Sequence, residues 1–454
     1  MRNTYLQSID IHNYRLFQNL HIDFDQEITV FIAPNGSGKT TVLDAICAAI
    51  RLFVNTMEGR GNPQVFLKSD IRKVLSPEQK MEYITPTSID CTASIAGELL
   101  SWSRKREAEE DSRTNTSDSR ALKEIAEKLR KANQSWAKGE DFSAPVFPLI
   151  AYYGTGRLWG GSRTTEAKKR SEEDAPNARN KGYTDSLSPS SHFGLFLDWY
   201  RDYSYEAEVN KESRHSPKQH LQALNTAVNT VLSGTGWKNI RWDFVEKKIV
   251  ADHDQFGTLP IDSLSDGIRT IVGLVADIAH RAIRLNPQFV ADTSLETPGI
   301  VLIDEIDMHL HPEWQQTVID ALLRTFPSMQ FIVTTHSPQV LTTIPKEFIR
   351  VLSQGENGNW QSTIPAEQTK GIESSYVLAS AMNTDPIPAV TEAQWLSEYK
   401  VFIANSAWES NEAILLREKI ISHFGINHPA TLECDRLIRF QQAKNKLADS
   451  RRKD

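Results

Sequence analysis

The chain has 454 residues, 39% apolar and 24% charged, with a formal net charge of −7. That balance fits a globular protein with two or three domains' worth of core and excludes a surface that is basic all over, although a local patch for DNA stays open. Three scattered cysteines, Cys47, Cys91 and Cys434, make neither a disulfide framework nor a zinc pattern, which fits a cytoplasmic protein.

In chain order, Leu6, Ile9, Ile11 and Tyr14 alternate as in a strand, and Leu20, Ile22 and Phe24 as in a second. The opening stretch has no long apolar run of a signal peptide. Residues 28–33 (ITVFIA) form a continuous apolar run suited to a buried strand. The loop PNGSGK follows, and then Val42, Leu43, Ile46, Ala49, Ile50 and Phe53 fall at helical spacing. Residues 54–146 are mixed, with a helix expected over 119–137. Residues 147–153 (FPLIAYY) read as another buried strand. Residues 161–190 are charged and rich in breakers, and are expected to form a flexible loop. Helices follow at 192–206 and 216–232, and strands near 238–251. From 263 onward the pattern sharpens: a helix after SLSDG, a strand at 299–307, a helix at 312–326, and strands at 329–338 and 348–353. Helically spaced apolar residues then recur from Trp395 to a last helix at 431–447. No run approaches 18 apolar residues, so no membrane span is expected. Alternating strands and helices imply an α/β core with a largely parallel sheet.

Four segments carry chemistry. Residues 33–40 read APNGSGKT, a phosphate loop with alanine at its first position. Backbone N–H groups of Asn35, Gly36, Ser37, Gly38 and the helix start favour phosphate oxygens. Lys39 reaches the outer phosphates, and Thr40 offers a hydroxyl to Mg²⁺. Ala33 is tolerated if its φ stays negative. A chance glycine turn is the alternative, and the strand–loop–helix context weighs against it. Second, Asp304 and Glu305 end a hydrophobic strand, where one carboxylate can hold Mg²⁺ and the other polarise water; alone, such a pair is a common strand end. Third, Leu264-Ser265-Asp266-Gly267 starts a helix; Ser265 suits a phosphate or is an ordinary N-cap. Fourth, His336 follows FIVTT at the usual ligand crevice of a parallel sheet.

Loop, LSDG, LIDEID…HLHP and TTHSP, in this order, resemble the ABC-type ATPase heads of the RecF, SMC and OLD kind, over about residues 1–55 and 235–355. The resemblance implies a head with a largely parallel sheet, an antiparallel N-terminal β part, a helical insertion and a small all-helical C-terminal appendage. The head would comprise 1–55 and 235–370, the inserted region 56–234 and the appendage 371–454. It further implies that Gly36, Gly38, Lys39, Thr40 and Thr41 form the Walker A loop. Asp304 would hold the metal with Thr40, and Glu305 would be the general base. Ser265 and Gly267 would form the signature, Leu310-His311 the D-loop, and His336 the switch histidine. ATP and Mg²⁺ would be sandwiched between copies of the chain, giving a dimer or larger assembly. Asp266 replaces a second signature glycine, and no clear Q-loop glutamine is found; YYGTGRLW (152–159) holds its place, with Arg157 as a γ-phosphate or DNA contact and Tyr152 as core packing. No long heptad array argues for a chromosome-organising rod, and no DxD pair follows the head as in OLD nucleases. The segment YYGTGRLW, the HLHP run and the helical tail are similar to the PtuA ATPases of Septu defence and of some retrons. That likeness implies a separately encoded HNH nuclease partner, PtuB, acting on DNA, with 375–447 as its dock. A RecF-like repair clamp and a hydrolysis-deficient scaffold are the competing functions.

Overall fold

A computed structural model describes residues 2–61, 66–110, 117–156, 179–189, 193–209, 217–355 and 357–451. It opens with β1 (Tyr5–Tyr14), β2 (Phe17–Asp23) and β3 (Ile28–Ile32), then α1 (Lys39–Glu58). The hairpin β4 (Lys73–Leu75) and β5 (Met81–Tyr83) leads to β6 (Thr87–Ile95), β7 (Glu98–Arg106) and α2 (Arg120–Ala137). Next come β8 (Leu149–Tyr153), α3 (Phe193–Val209) and α4 (Pro217–Val231), then the meander β9 (Trp237–Asp243), β10 (Lys248–His253) and β11 (Gly257–Pro260). The second half contains α5 (Asp266–Leu285), α6 (Thr293–Glu296), β12 (Gly299–Ile303), α7 (Pro312–Gln315), α8 (Val318–Thr325), β13 (Met329–Thr334) and α9 (Pro338–Leu341). It closes with β14 (Ile349–Gln354), β15 (Trp360–Thr363), α10 (Ser374–Ser380), α11 (Thr391–Ala404), α12 (Asn411–Phe424) and α13 (Pro429–Arg451).

The central sheet has the order β15-β14-β3-β13-β12-β8. Its strands are parallel except β15, which runs against β14. Every residue of β3, β8, β12 and β13 is buried, which explains their continuous apolar runs: a parallel sheet is covered on both faces. Gly299 is required by the close approach of β8, since a Cβ there would lie 2.2 Å from the Leu149 carbonyl oxygen. A second, antiparallel sheet, β2-β1-β6-β7, packs nearby. Buried Gln330 of β13 clips the two sheets together: it accepts from the Leu6 N–H at 2.8 Å and donates to the Leu6 and Asp25 carbonyls at 2.8 and 2.7 Å.

Helix α1 is apolar nearly all round, the pattern of a fully enclosed helix. By length and mean hydropathy it would pass as a membrane span, although Asp44 and Arg51 interrupt its apolar residues. Its apolar window, of mean hydropathy 1.3, is however 78% buried inside the fold.

Several expectations need correction. Residues 56–118 include the long hairpin β6–β7, turned through Ala96 and Gly97 at φ 52° and 84°. The strand expected over 299–307 stops at Ile303, so Asp304 onward is turn. The helix expected over 312–326 is split into α7 and α8. The expected loop 161–190 is packed over its end: Tyr183 is buried, and Ser186 and Pro189 carbonyls accept from the Tyr152 and Gly154 N–H groups at 2.7 and 3.1 Å, covering the free edge of β8. Residues 161–178 and Arg157 lie outside the described residues.

By internal contacts the chain divides into residues 1–382 and 383–454. The appendage therefore begins later than residue 371: α10 belongs with the first unit, where its Val377 joins the main core. The region 56–234 is also not separate from the head, because β8 is an edge of the central sheet. The second unit, α11–α13, has its own small core around Tyr399, Ile403, Leu416, Ile420 and Cys434.

Candidate functional site

Strand β3 sits between β14 and β13, and its C-terminal end feeds the loop before α1. Within that loop only Gly36 and Gly38 have positive φ, at 78° and 86°, so Ala33 occupies a position any residue can adopt. Gly38 is demanded twice. Its φ lies in the left-handed region, and a Cβ there would lie 2.5 Å from the Phe17 ring. The Lys39 side chain folds back, donating from Nζ to the Ala33 carbonyl at 2.8 Å and the Pro34 carbonyl at 3.4 Å. Burial pushes its pKa below the usual lysine value, while the nearby Asp304, Glu305 and Asp307 carboxylates work against that.

Strand β12 delivers Asp304 and Glu305 beside this loop. Asp304 is buried and its carboxylate is held from two sides: Thr40 Oγ1 donates to Oδ2 at 2.8 Å, and Thr334 Oγ1 donates to Oδ1 at 2.6 Å. Glu305 is partly exposed and has φ 50°, a left-handed conformation costing a non-glycine residue about 1–3 kcal/mol. Its N–H donates to Thr334 Oγ1 at 2.7 Å. Asp307, one turn on, accepts from Thr335 Oγ1 at 2.6 Å and from the His336 N–H at 3.3 Å.

These groups border one open cavity of about 230 Å³. Asn35, Gly36, Gly38, Lys39, Thr40 and Thr41 line one side, Asp304, Glu305 and His336 the other, and Leu16 of the β1–β2 turn overhangs it. Amide donors, a cation, a hydroxyl and carboxylates thus converge at the C-terminal ends of parallel strands, the usual ligand crevice of such sheets.

Residues 8–233 match the AAA domain family AAA_23. The "Retron Vc95 probable ATPase" of Vibrio cholerae is 27% identical over 443 residues, covering 87% of this chain and 82% of that protein. The "Septu protein PtuA" of Bacillus mycoides is 24% identical, over 84% of this chain and 45% of its own length. The SMC head domain from Thermotoga maritima superposes with a TM-score of 0.43 at 16% identity, over 80% of this chain and 99% of that domain. The chain resembles ABC-type ATPases of the RecF/SMC kind, and among them PtuA.

Ser265 and Gly267 do not line the cavity. Ser265 is the exposed N-cap of α5, but its side chain makes no capping hydrogen bond. Gly267 is buried beneath the turn after β12: a Cβ on it would lie 2.5 Å from the His309 carbonyl oxygen. Ser37 is likewise not among the lining residues; its N–H closes the loop onto the Pro34 carbonyl at 3.3 Å. Tyr152 is 4% exposed and packs in the core, as expected.

Mg²⁺, which such heads imply, fits the donor set. A hydroxyl and a carboxylate are hard oxygen ligands, and this ion is commonly held by one or two such groups plus phosphates. Among the described residues no group of three or more His, Cys, Asp or Glu is placed to hold a metal alone. The residues missed from sequence are Leu16, Asp307, Thr334 and Thr335. The threonines look like ordinary β-formers, and their hydroxyls meet Asp304 and Asp307 only because β13 lies beside the turn that follows β12.

Proposed function

We propose that the chain binds ATP with Mg²⁺, hydrolyses it, and uses ATP-dependent assembly to govern a partner HNH nuclease in anti-phage defence. The observation that carries this reading is the convergence of Lys39, Thr40, Asp304, Glu305 and His336 on one cavity. In it, the amides of the loop from Asn35 to Thr41 and the Lys39 ammonium hold the phosphates. Thr40 and Asp304 hold Mg²⁺, whose charge offsets that of the phosphates when bound. Glu305 takes a proton from the attacking water as the new oxygen–phosphorus bond forms and the bond to the ADP oxygen breaks. His336 hydrogen-bonds the γ-phosphate. Ser265 and Gly267 cap the nucleotide of a second copy, so the site is completed only in a homo-oligomer; their absence from their own chain's cavity supports this.

The defence role is supported by likeness to proteins named for a retron and for Septu. The helical unit 383–454 is the dock for the nuclease, whose substrate is DNA. The setting is cytoplasmic, consistent with three free, buried cysteines. The test is co-purification from the native operon, followed by DNA cleavage assays with and without ATP. An HNH protein should co-elute and its cleavage should respond to ATP; no co-eluting nuclease and no ATP response refute the reading.

A further inference from the structure

Thr334 occupies the end of β13, the strand lying between β3 and β12. Its side chain is fully buried. A hydroxyl has one proton to donate and lone pairs to accept with. The Glu305 N–H, at 2.7 Å, can only donate, so the hydroxyl accepts there. Its single proton therefore goes to Asp304 Oδ1, at 2.6 Å. Asp304 Oδ2 takes the Thr40 proton at 2.8 Å, which leaves the Thr40 lone pairs free to face a cation.

We propose that Thr334 is a positioning residue for Mg²⁺ binding and hydrolysis. Its one hydroxyl fixes the rotation of the Asp304 carboxylate and at the same time holds Glu305 in its left-handed backbone conformation. The branched side chain, stiff about χ1 on a strand, keeps the oxygen aimed at both. This role rests on the ATP reading given above. It assigns to the residue two before His336 a duty toward the acid pair rather than toward phosphate.

The test uses the full chain. Thr334→Val keeps the shape and removes the hydroxyl, whereas Thr334→Ser keeps the hydroxyl. Affinity for a fluorescent ATP analogue without metal should change less than about twofold in Thr334→Val. The Mg²⁺ concentration for half-maximal hydrolysis should rise and kcat should fall, each about 10–100-fold, as for loss of an outer-shell partner. Thr334→Ser should restore both. If Thr334→Val does not fold, Thr334→Ala against Thr334→Ser makes the comparison, since both lose the methyl and only one loses the hydroxyl. Wild-type Mg²⁺ dependence and kcat in Thr334→Val, or a serine variant as impaired as the variant lacking the hydroxyl, would overturn the role. Wild-type protein that binds no ATP in the presence of Mg²⁺ would bring down the ATP reading, and this role with it.

Discussion

Replacing Lys39 by methionine separates binding from folding. Lys39 is 7% exposed, and among the described residues its ammonium hydrogen-bonds the Ala33 and Pro34 carbonyls, at 2.8 and 3.4 Å. Methionine loses those two bonds but also relieves the burial of a charge, and its length fills the same space. The two effects oppose each other, so stability should change by no more than about 1 kcal/mol. With ATP bound, the ammonium would instead make charge-assisted bonds to phosphate oxygens, worth about 1.5–3 kcal/mol each. Two such bonds amount to about 3–6 kcal/mol, a loss of roughly 10²–10⁴ in affinity. Titration calorimetry with Mg²⁺ and ATP measures the affinity directly. Thermal unfolding gives a second reading: ATP at 100 times its Kd should stabilise the wild type by about 2.7 kcal/mol and leave the variant unmoved. Lys39→Met binding ATP within about threefold of wild type would refute the phosphate-loop reasoning.

Glu305→Gln should slow hydrolysis at least about 100-fold while ATP stays bound, and light scattering should show the mass rise and persist with ATP; an unchanged mass speaks against sandwiching. Asp277→Asn should destabilise the first unit by about 3–5 kcal/mol in urea unfolding, because it strands a buried guanidinium. Asp277 Oδ2 accepts from Arg281 Nε at 2.7 Å and from the Tyr153 hydroxyl at 2.8 Å. Burial alone would raise its pKa, but Arg281 and His280 hold it well below the usual carboxylate range. That contribution to stability is present above the unfolded pKa and is lost as pH falls through the folded one. Glu58 has the opposite sign: burial, against the lowering effect of Arg60, pushes it up to about 7. Between the unfolded value of about 4.3 and about 7 the fold binds the extra proton, so its cost appears as pH rises through that window and is complete above it. Glu58→Gln should thus raise the unfolding temperature at pH 8 and leave it unchanged near pH 4, the gain being about 1–2 kcal/mol after discounting for solvent screening; equal shifts at both pH values would refute this.

The elements visible in the sequence are those with a strong local signal. The runs ITVFI, GIVLI and LIAYY are wholly buried strands, and a doubly covered strand must be continuously apolar. The hairpin β6–β7 escaped because its core face mixes the apolar Ile89, Ile95 and Trp102 with small or polar residues: Thr87, Cys91 and Ala93 on one strand, Arg104 and Arg106 on the other. That mixture dilutes the apolar alternation a strand usually shows. The segment 179–189 escaped for another reason. It is anchored by polar bonds, with Arg179 donating to the Leu285 carbonyl at 2.7 Å and the Tyr183 hydroxyl to the Pro148 carbonyl at 2.7 Å. A sequence rich in charge reads as solvated when its acceptors lie on another element.

The candidate site shows the same division. The phosphate loop is contiguous, so residue order alone exposes it. Its meeting with Asp304, 264 positions away from Thr40, depends on strand order. Along the chain the strands run β3, β12, β13, but in the sheet β13 lies between the other two. The residue that ends the middle strand must therefore stand between the loop and the acid pair. Any side chain at position 334 would be there; only one with both a proton to give and a lone pair to offer can serve the two neighbours at once. Serine, threonine and tyrosine do both with a single oxygen, whereas asparagine, glutamine and neutral histidine need two separate atoms. The identity of Thr334 is thus a consequence of topology plus hydrogen-bond arithmetic, and neither is written in the order of the residues.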